Sequence, residues 1–223
     1  MKKIIIALDG PAGSGKTTTA REVAKKLNYI YIDTGAMYRA ATLAFLRTGE
    51  IFDGFDFNSL MNNIKIDLKP SENGQLTLLN GEDVSKEIRT AEVTKLASPV
   101  AAVRIVREKL VDQQRELGKQ GGVVMDGRDI GTVVFPDADL KLFMHASIEA
   151  RAARRTKELI AAGEDVSVEE IAKRIAHRDE FDSNREISPL RKADDAQVID
   201  TSNITIEEQT NIVIDLAKKI INS

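Results

Sequence analysis

The chain has 223 residues, 42% of them hydrophobic and 30% charged, with a formal net charge of −3. That length holds one substantial core with room for a small inserted subdomain. The near-balanced charge excludes a basic nucleic-acid binder or a polyacidic tail, and the absence of cysteine excludes a disulfide framework, a zinc finger and a thiol nucleophile.

The apolar run Ile4-Ile5-Ile6-Ala7-Leu8 stops at Asp9-Gly10. It is too short for a signal-peptide core or a membrane span. It predicts a buried, parallel-type strand over residues 3–8. The expectation is a soluble, cytoplasmic monomer with no membrane or nucleic-acid partner. After a glycine-rich turn, Ala20, Val23, Ala24 and Leu27 fall at the i, i+3, i+4, i+7 spacing of an amphipathic helix that starts near Lys16. Tyr29-Ile30-Tyr31-Ile32 predicts a second strand, with both tyrosines in the core. Asp33-Thr34-Gly35 turns into a helix reaching about Leu46 and closing near Gly49. The order β-α-β-α opens an α/β fold with a parallel sheet flanked by helices.

Residues 60–90 change character, within an inserted acceptor subdomain expected over about 62–98. Ile64 to Leu68 alternates, and Gln75 to Leu79 is a second strand followed by the hairpin signal Asn80-Gly81. A small antiparallel insertion is expected there. One long helix from about Ala91 towards Leu117 follows. Strands are then predicted at Val123–Met125, Leu140–Met144 and Gln197–Asp200, with helices opening near Ser147, at the capping-box spacing Ser167–Glu170, and at Thr205–Glu208. The small polar run Ala161 to Asp165 suggests a mobile loop inside a helical lid near residues 155–166.

Gly10-Pro11-Ala12-Gly13-Ser14-Gly15-Lys16-Thr17 fits the phosphate-binding pattern G-x-x-x-x-G-K-[ST], with the strand before it and the helix after it that the pattern requires. Loop amides and the helix N-terminus would face the phosphates of ATP. Lys16, expected to face solvent until nucleotide arrives, would reach the β- and γ-phosphates. Thr17 would offer its hydroxyl to Mg²⁺. No N-K-x-D guanine reader or D-x-x-G switch sequence accompanies the loop. Instead the chain is rich in arginine beyond it, and eight of its fifteen arginines lie between Arg128 and Arg191. Two phosphate-bearing substrates repel, and the planar guanidinium pairs two phosphate oxygens at once. The pattern therefore points to a kinase for a small phosphorylated acceptor.

Asp33-Thr34-Gly35-Ala36-Met37-Tyr38-Arg39 resembles the D-[ST]-G-x-x-Y-R motif of bacterial cytidylate kinases. So do Gly81-Glu82-Asp83-Val84-Ser85 with Glu87-Ile88-Arg89-Thr90, and Asp126-Gly127-Arg128-Asp129-Ile130-Gly131-Thr132-Val133-Val134-Phe135-Pro136. Arg178-Asp179 with Asp182 and Arg185 matches as well, so the resemblance runs from end to end. It departs at Lys16-Thr17-Thr18, where many members read K-G-[ST], which leaves Thr17 and Thr18 as rival neighbours of the metal.

The resemblance implies ATP and CMP or dCMP as substrates. Ser98, Arg107 and Asp129 would read cytosine. Arg178 and Asp182, one helical turn apart, would hold the ribose. Arg39, Arg128 and Arg185, assisted by Thr34, would clamp the acceptor phosphate. Of Arg151, Arg154 and Arg155 at the start of the lid, Arg154 is assigned to ATP and Arg155 to the catalytic set with Lys16, Arg128 and Arg185; one of the three is expected on the surface. Plainer alternatives are a surface ion pair for Arg178–Asp182, a kink residue for Ser98 before Pro99, and a solvated helix position for Arg107. The rival functions are another small-substrate P-loop kinase, for adenylate, thymidylate or shikimate, and a nucleotide-binding module that transfers nothing.

Overall fold

Strand β1 (Ile5–Asp9) runs through the middle of a five-stranded parallel sheet in the computed structural model, which describes residues 2–71, 74–161 and 163–222. The chain continues through α1 (Lys16–Leu27), β2 (Ile30–Asp33) and α2 (Thr34–Leu46). It then forms α3 (Phe57–Asn63), an antiparallel sheet of β3 (Ile66–Ser71), β4 (Gly74–Leu79) and β5 (Glu82–Asp83), and the helices α4 (Ala91–Ala102) and α5 (Arg104–Gly118). The parallel sheet resumes with β6 (Val123–Gly127) and β7 (Leu140–His145). Helices α6 (Ile148–Ala161) and α7 (Val168–Asn184), strand β8 (Gln197–Asp200) and α8 (Ile206–Ile221) complete the chain.

The sheet order is β2-β6-β1-β7-β8. Ile4, Ile6 and Leu8 pack with α1 and α8 on one face, and Ala7 packs with Val111 of α5 and Ile130 on the other. Burial on both faces explains the unbroken apolar run of this strand. Because β1 feeds β2 on one side while β6 feeds β7 on the other, the connections diverge at the carboxyl ends of β1 and β6. That crevice is where ligands of open α/β sheets bind. Among the described residues no helix is long and apolar enough to cross a membrane.

The Asn80-Gly81 turn forms as its sequence demands, with positive φ at both residues and Leu79 paired to Glu82. Residues 72 and 73 of the insertion, and Ala162 of the expected lid loop, lie outside the described residues. Gln75 of β4 accepts the Asp33 amide at 3.1 Å and so moors the small sheet beside the crevice. Residues 155–161, expected within the lid, continue α6, and Ala152, Leu159, Ile171 and Ile175 form a separate small core between α6 and α7.

The long helix expected over 91–117 is two helices. Val103 sits between them in extended geometry, with φ −67° and ψ 122°. Pro99, inside α4, has no amide to donate to Lys95 and crowds that carbonyl, which weakens the last turn. The break leaves the Ala101 carbonyl free of the helix ladder, and Arg107 donates to it at 3.1 Å. The discontinuity thus helps to fix the Arg107 side chain.

Candidate active site

Three glycines shape the phosphate loop. Gly10, Gly13 and Gly15 have φ of 149°, 76° and 85°, values that L side chains rarely adopt. A Cβ on Gly10 would lie 2.0 Å from the Met144 carbonyl oxygen. Gly10→Ala is therefore expected to cost about 1–3 kcal/mol of stability and to weaken ATP binding. Urea unfolding and an ATP titration would check it, and unchanged values in both would contradict the close approach.

Lys16 does not face solvent. Its side chain is buried and donates to the Pro11 carbonyl at 2.9 Å, which folds it back along the loop backbone. Burial, then the Arg128 charge, pulls its pKa down to about 7, against opposing help from Asp126 and Asp9. The Thr17 hydroxyl donates to Asp126 Oδ2 at 2.6 Å, whereas Thr18 is half-buried one residue further along α1. Of the two threonines, Thr17 is the one joined to a carboxylate.

An aspartate closes each of the three strands at this edge. Asp9 ends β1, Asp33 ends β2, and Asp126 lies one residue from the end of β6, with Asp33 and Asp126 in register. Asp33 caps α2 by accepting the Ala36 amide at 3.0 Å. Asp126 is buried, accepts also from the Tyr31 hydroxyl at 3.0 Å, and has its pKa raised to about 6 by burial and the Asp33 charge. Tyr31 is thus half-buried with a polar duty, not a plain core residue, and Tyr29 is half-buried too. Sequence reasoning assigned no role to Asp9 or Asp126. The available signal was the repeated ending of an apolar strand in aspartate, at the end where such sheets bind ligands.

Six of the nine residues expected at the acceptor fall into two ion-paired groups, one around Asp129 and one around Asp182. Asp129 and Arg107 are both buried and bonded to each other, and the Arg107 guanidinium lies 5.2 Å from the centre of the Tyr38 ring. Arg107 is therefore no solvated helix residue. Arg185 stands 3.8 Å from the other Asp129 oxygen and donates to the Ser188 carbonyl at 2.6 Å. Asp182 is buried, which excludes the surface ion pair, and its nearest cation is Arg128 at 3.0 Å rather than Arg178 at 3.9 Å. Burial pushes the Asp182 carboxyl up, but Arg128, Arg178 and Arg185 outweigh it and hold it below the usual range. Arg178 is lowered to about 10 by burial and by Arg128.

Arg39, on α2, donates to Thr94 at 2.8 Å, and burial lowers its pKa to about 10, with Arg128 and Arg155 adding to the repulsion. Ser98 is half-buried within α4. Thr34 spends its hydroxyl on the Asp126 carbonyl at 2.8 Å. The lid-side arginines divide three ways. Arg151 is buried and braces the loop through the Ala12 carbonyl (3.1 Å) and Asp179 (2.6 Å). Arg154 bonds the carbonyls of Thr201 and Ser202. Arg155 pairs with Glu158 on the exposed side of α6.

A glycine loop between a central parallel strand and a helix, with a lysine, a threonine and a strand-end carboxylate around it, defines a P-loop phosphotransferase. The cytidylate kinase family model matches residues 6–219. A cytidylate kinase of Bacillus cereus (strain ATCC 10987 / NRS 248) is 51% identical over 220 residues, 98% of each chain. One of Bacillus thuringiensis (strain Al Hakam) is 54% identical over 208 residues, 93% of this chain and 92% of that one. An uncharacterized protein from Eubacterium ventriosum shares the fold, with a TM-score of 0.53 at 13% identity over 98% of this chain and 99% of that one. The chain belongs to the cytidylate kinase family.

Proposed function

We propose that this chain transfers the γ-phosphoryl group of ATP to CMP and dCMP, releasing ADP and the nucleoside diphosphate. The observation that carries the reading is the buried Asp129–Arg107 pair set beside Arg128, Arg178, Arg185 and Asp182. It joins hydrogen-bonding groups for a base to cations for a phosphate, on the crevice that the P-loop opens into. A cytosine edge offers an amino donor and ring acceptors, matched by a carboxylate and a guanidinium, with Ser98 as a further acceptor. Uracil reverses two of those positions.

The acceptor needs no general base. Its phosphate is mostly a dianion at neutral pH, because the second pKa is about 6. One of its oxygens bonds to the γ-phosphorus as the bond from that phosphorus to the β–γ bridging oxygen breaks, and ADP leaves with the electron pair. Lys16 and the loop amides hold the donor, while Arg39, Arg128 and Arg185 hold the acceptor in line. Arg154 and Arg155 belong to the lid over ATP in this reading, with α6–α7 around residues 155–166 as the lid and residues 62–98 as the acceptor-side insertion. Closure would exclude water.

Thr17 and Asp126 supply a hydroxyl and a carboxylate oxygen 2.6 Å apart, hard donors that fit Mg²⁺ when phosphate oxygens complete its shell. Bound there, Mg²⁺ would neutralise phosphate charge. Among the described residues no group of three or more acidic, histidine or cysteine side chains could hold a metal without the nucleotide. The same reading expects a cytoplasmic monomer that acts on small nucleotides.

A panel of nucleoside monophosphates with ATP and Mg²⁺, with products separated by chromatography, tests the proposal. ADP should form with CMP and dCMP far faster than with AMP, dTMP or shikimate. ATP binding with no transfer to any acceptor would favour the non-catalytic module. In the same assay Asp129→Asn should shrink the CMP over UMP preference by about 1–3 kcal/mol, because an amide donates where a carboxylate accepts. An unchanged ratio of kcat/KM values would remove Asp129 from base recognition.

A further inference from the structure

Asp9 is buried, carries a carboxylate, and has no part in the transfer just described. Its two oxygens accept from two consecutive amides, Oδ1 from Ile130 and Oδ2 from Gly131, each at 2.8 Å. Those amides open the single π-helical turn Ile130–Val134, which begins directly after Asp129. The turn's internal bonds start later, from the amides of Val133 and Val134 back to the Asp129 carbonyl and from Phe135 to the Ile130 carbonyl. The first amides of any such turn lack partners within it. Here a side chain from another strand supplies them.

The fit is close. A Cβ on Gly131 would reach contact distance of Asp9 Oδ2, at 3.4 Å, and crowd the Lys141 stem, at 3.2 Å from its Cδ. Burial pushes the Asp9 carboxyl up to about 7, with the amide bonds of Gly131 and Ile130 opposing the shift. A buried carboxylate placed this way is unfavourable in itself, and what it secures is the backbone on either side of it. Behind it comes Gly10, the first residue of the phosphate loop. Ahead of it, through the turn, comes Asp129 with its partner Arg107.

We propose that Asp9 is a positioning residue for base recognition, clamping the turn that aims Asp129 and tying it to the strand from which the P-loop springs. The assignment rests on the reading of Asp129 as the cytosine acceptor.

Asp9→Asn keeps the shape and one acceptor but turns an amide nitrogen towards a backbone N–H. The expected result is a CMP over UMP ratio of kcat/KM about tenfold lower than in the unmodified chain, with ATP affinity changed less than about twofold. A purely structural role would lower activity on both nucleotides by the same factor, and a folded variant with an unchanged ratio overturns the proposal. Should Asp9→Asn fail to fold, NMR of the unmodified chain decides. The Asp9 carboxyl carbon and the Ile130 and Gly131 amides should all shift on CMP addition, and shift less with UMP at equal occupancy. An Asp9 signal that ignores CMP overturns the assignment. Lack of CMP phosphorylation by the unmodified chain would instead sink the functional reading itself, which separates the two failures.

Discussion

Lys16→Ala should cut CMP-dependent turnover by about 10²–10³-fold or more, the loss typical of removing one charge-stabilising donor from a transferring group. The melting temperature should move by less than about 4 °C. The second expectation follows from where the lysine sits. Its single bond is to the Pro11 carbonyl, and burial pulls its pKa down to about 7, so the ammonium gains little from the resting fold. In the proposed reading its charge serves the phosphates of ATP. ATP should then raise the pKa and draw a proton onto Lys16 in neutral to mildly alkaline solution, where the resting group is partly neutral. Calorimetric titration of ATP in two buffers of different ionisation enthalpy would show proton uptake in the unmodified chain and less in the variant. A variant with near-normal turnover and a cooperative melt would remove Lys16 from the donor site.

What the sequence made legible was whatever obeys a local rule. The strand, glycine loop and helix around Lys16 could be read because an apolar run, positive-φ glycines and a helical period each leave a trace at short range. So could the Asn80-Gly81 turn and the Thr205–Glu208 capping box, which forms with both reciprocal bonds. The Val103 break left no such trace, because nothing at 102–104 is a breaker and Pro99 stands four residues upstream. The arginines proposed for the acceptor were picked out through family resemblance. Their pairing was not legible: α-helical spacing joins Asp182 to Arg178, whereas the fold brings Arg128 nearer from the bend that follows β6. Asp9 and Asp126 escaped for the same reason, since their partners lie 121 and 109 residues away in sequence. A carboxylate's role here depends on which strand ends adjoin, and sheet order is a long-range property.

Asp182→Ala should affect CMP and dCMP unequally. Asp182 Oδ2 is the oxygen nearest Arg128 and Arg178, and Oδ1 is the one proposed to accept from a ribose hydroxyl. The deoxy acceptor lacks one such hydroxyl, so it has less to lose. Both acceptors should also share a common loss, because Arg128 would be released from the carboxylate that orients it in the proposed phosphate clamp. The KM for ATP should change little, since Lys16, Thr17 and the loop amides are untouched. Stability should fall by about 1–3 kcal/mol, less than for a sealed ion pair because Arg128 and Arg178 keep some water contact. The folded-state pKa of Asp182 lies below its unfolded value. Its contribution is therefore complete above the unfolded value and lost as pH falls through the folded one, so the stability gap between unmodified chain and variant should close in strong acid. Steady-state kinetics with both sugars, joined to urea melts across pH, separate the two roles. Equal fractional losses for CMP and dCMP, with the acid-sensitive stability gap intact, would leave Asp182 as a brace for Arg128 and move the ribose contact elsewhere.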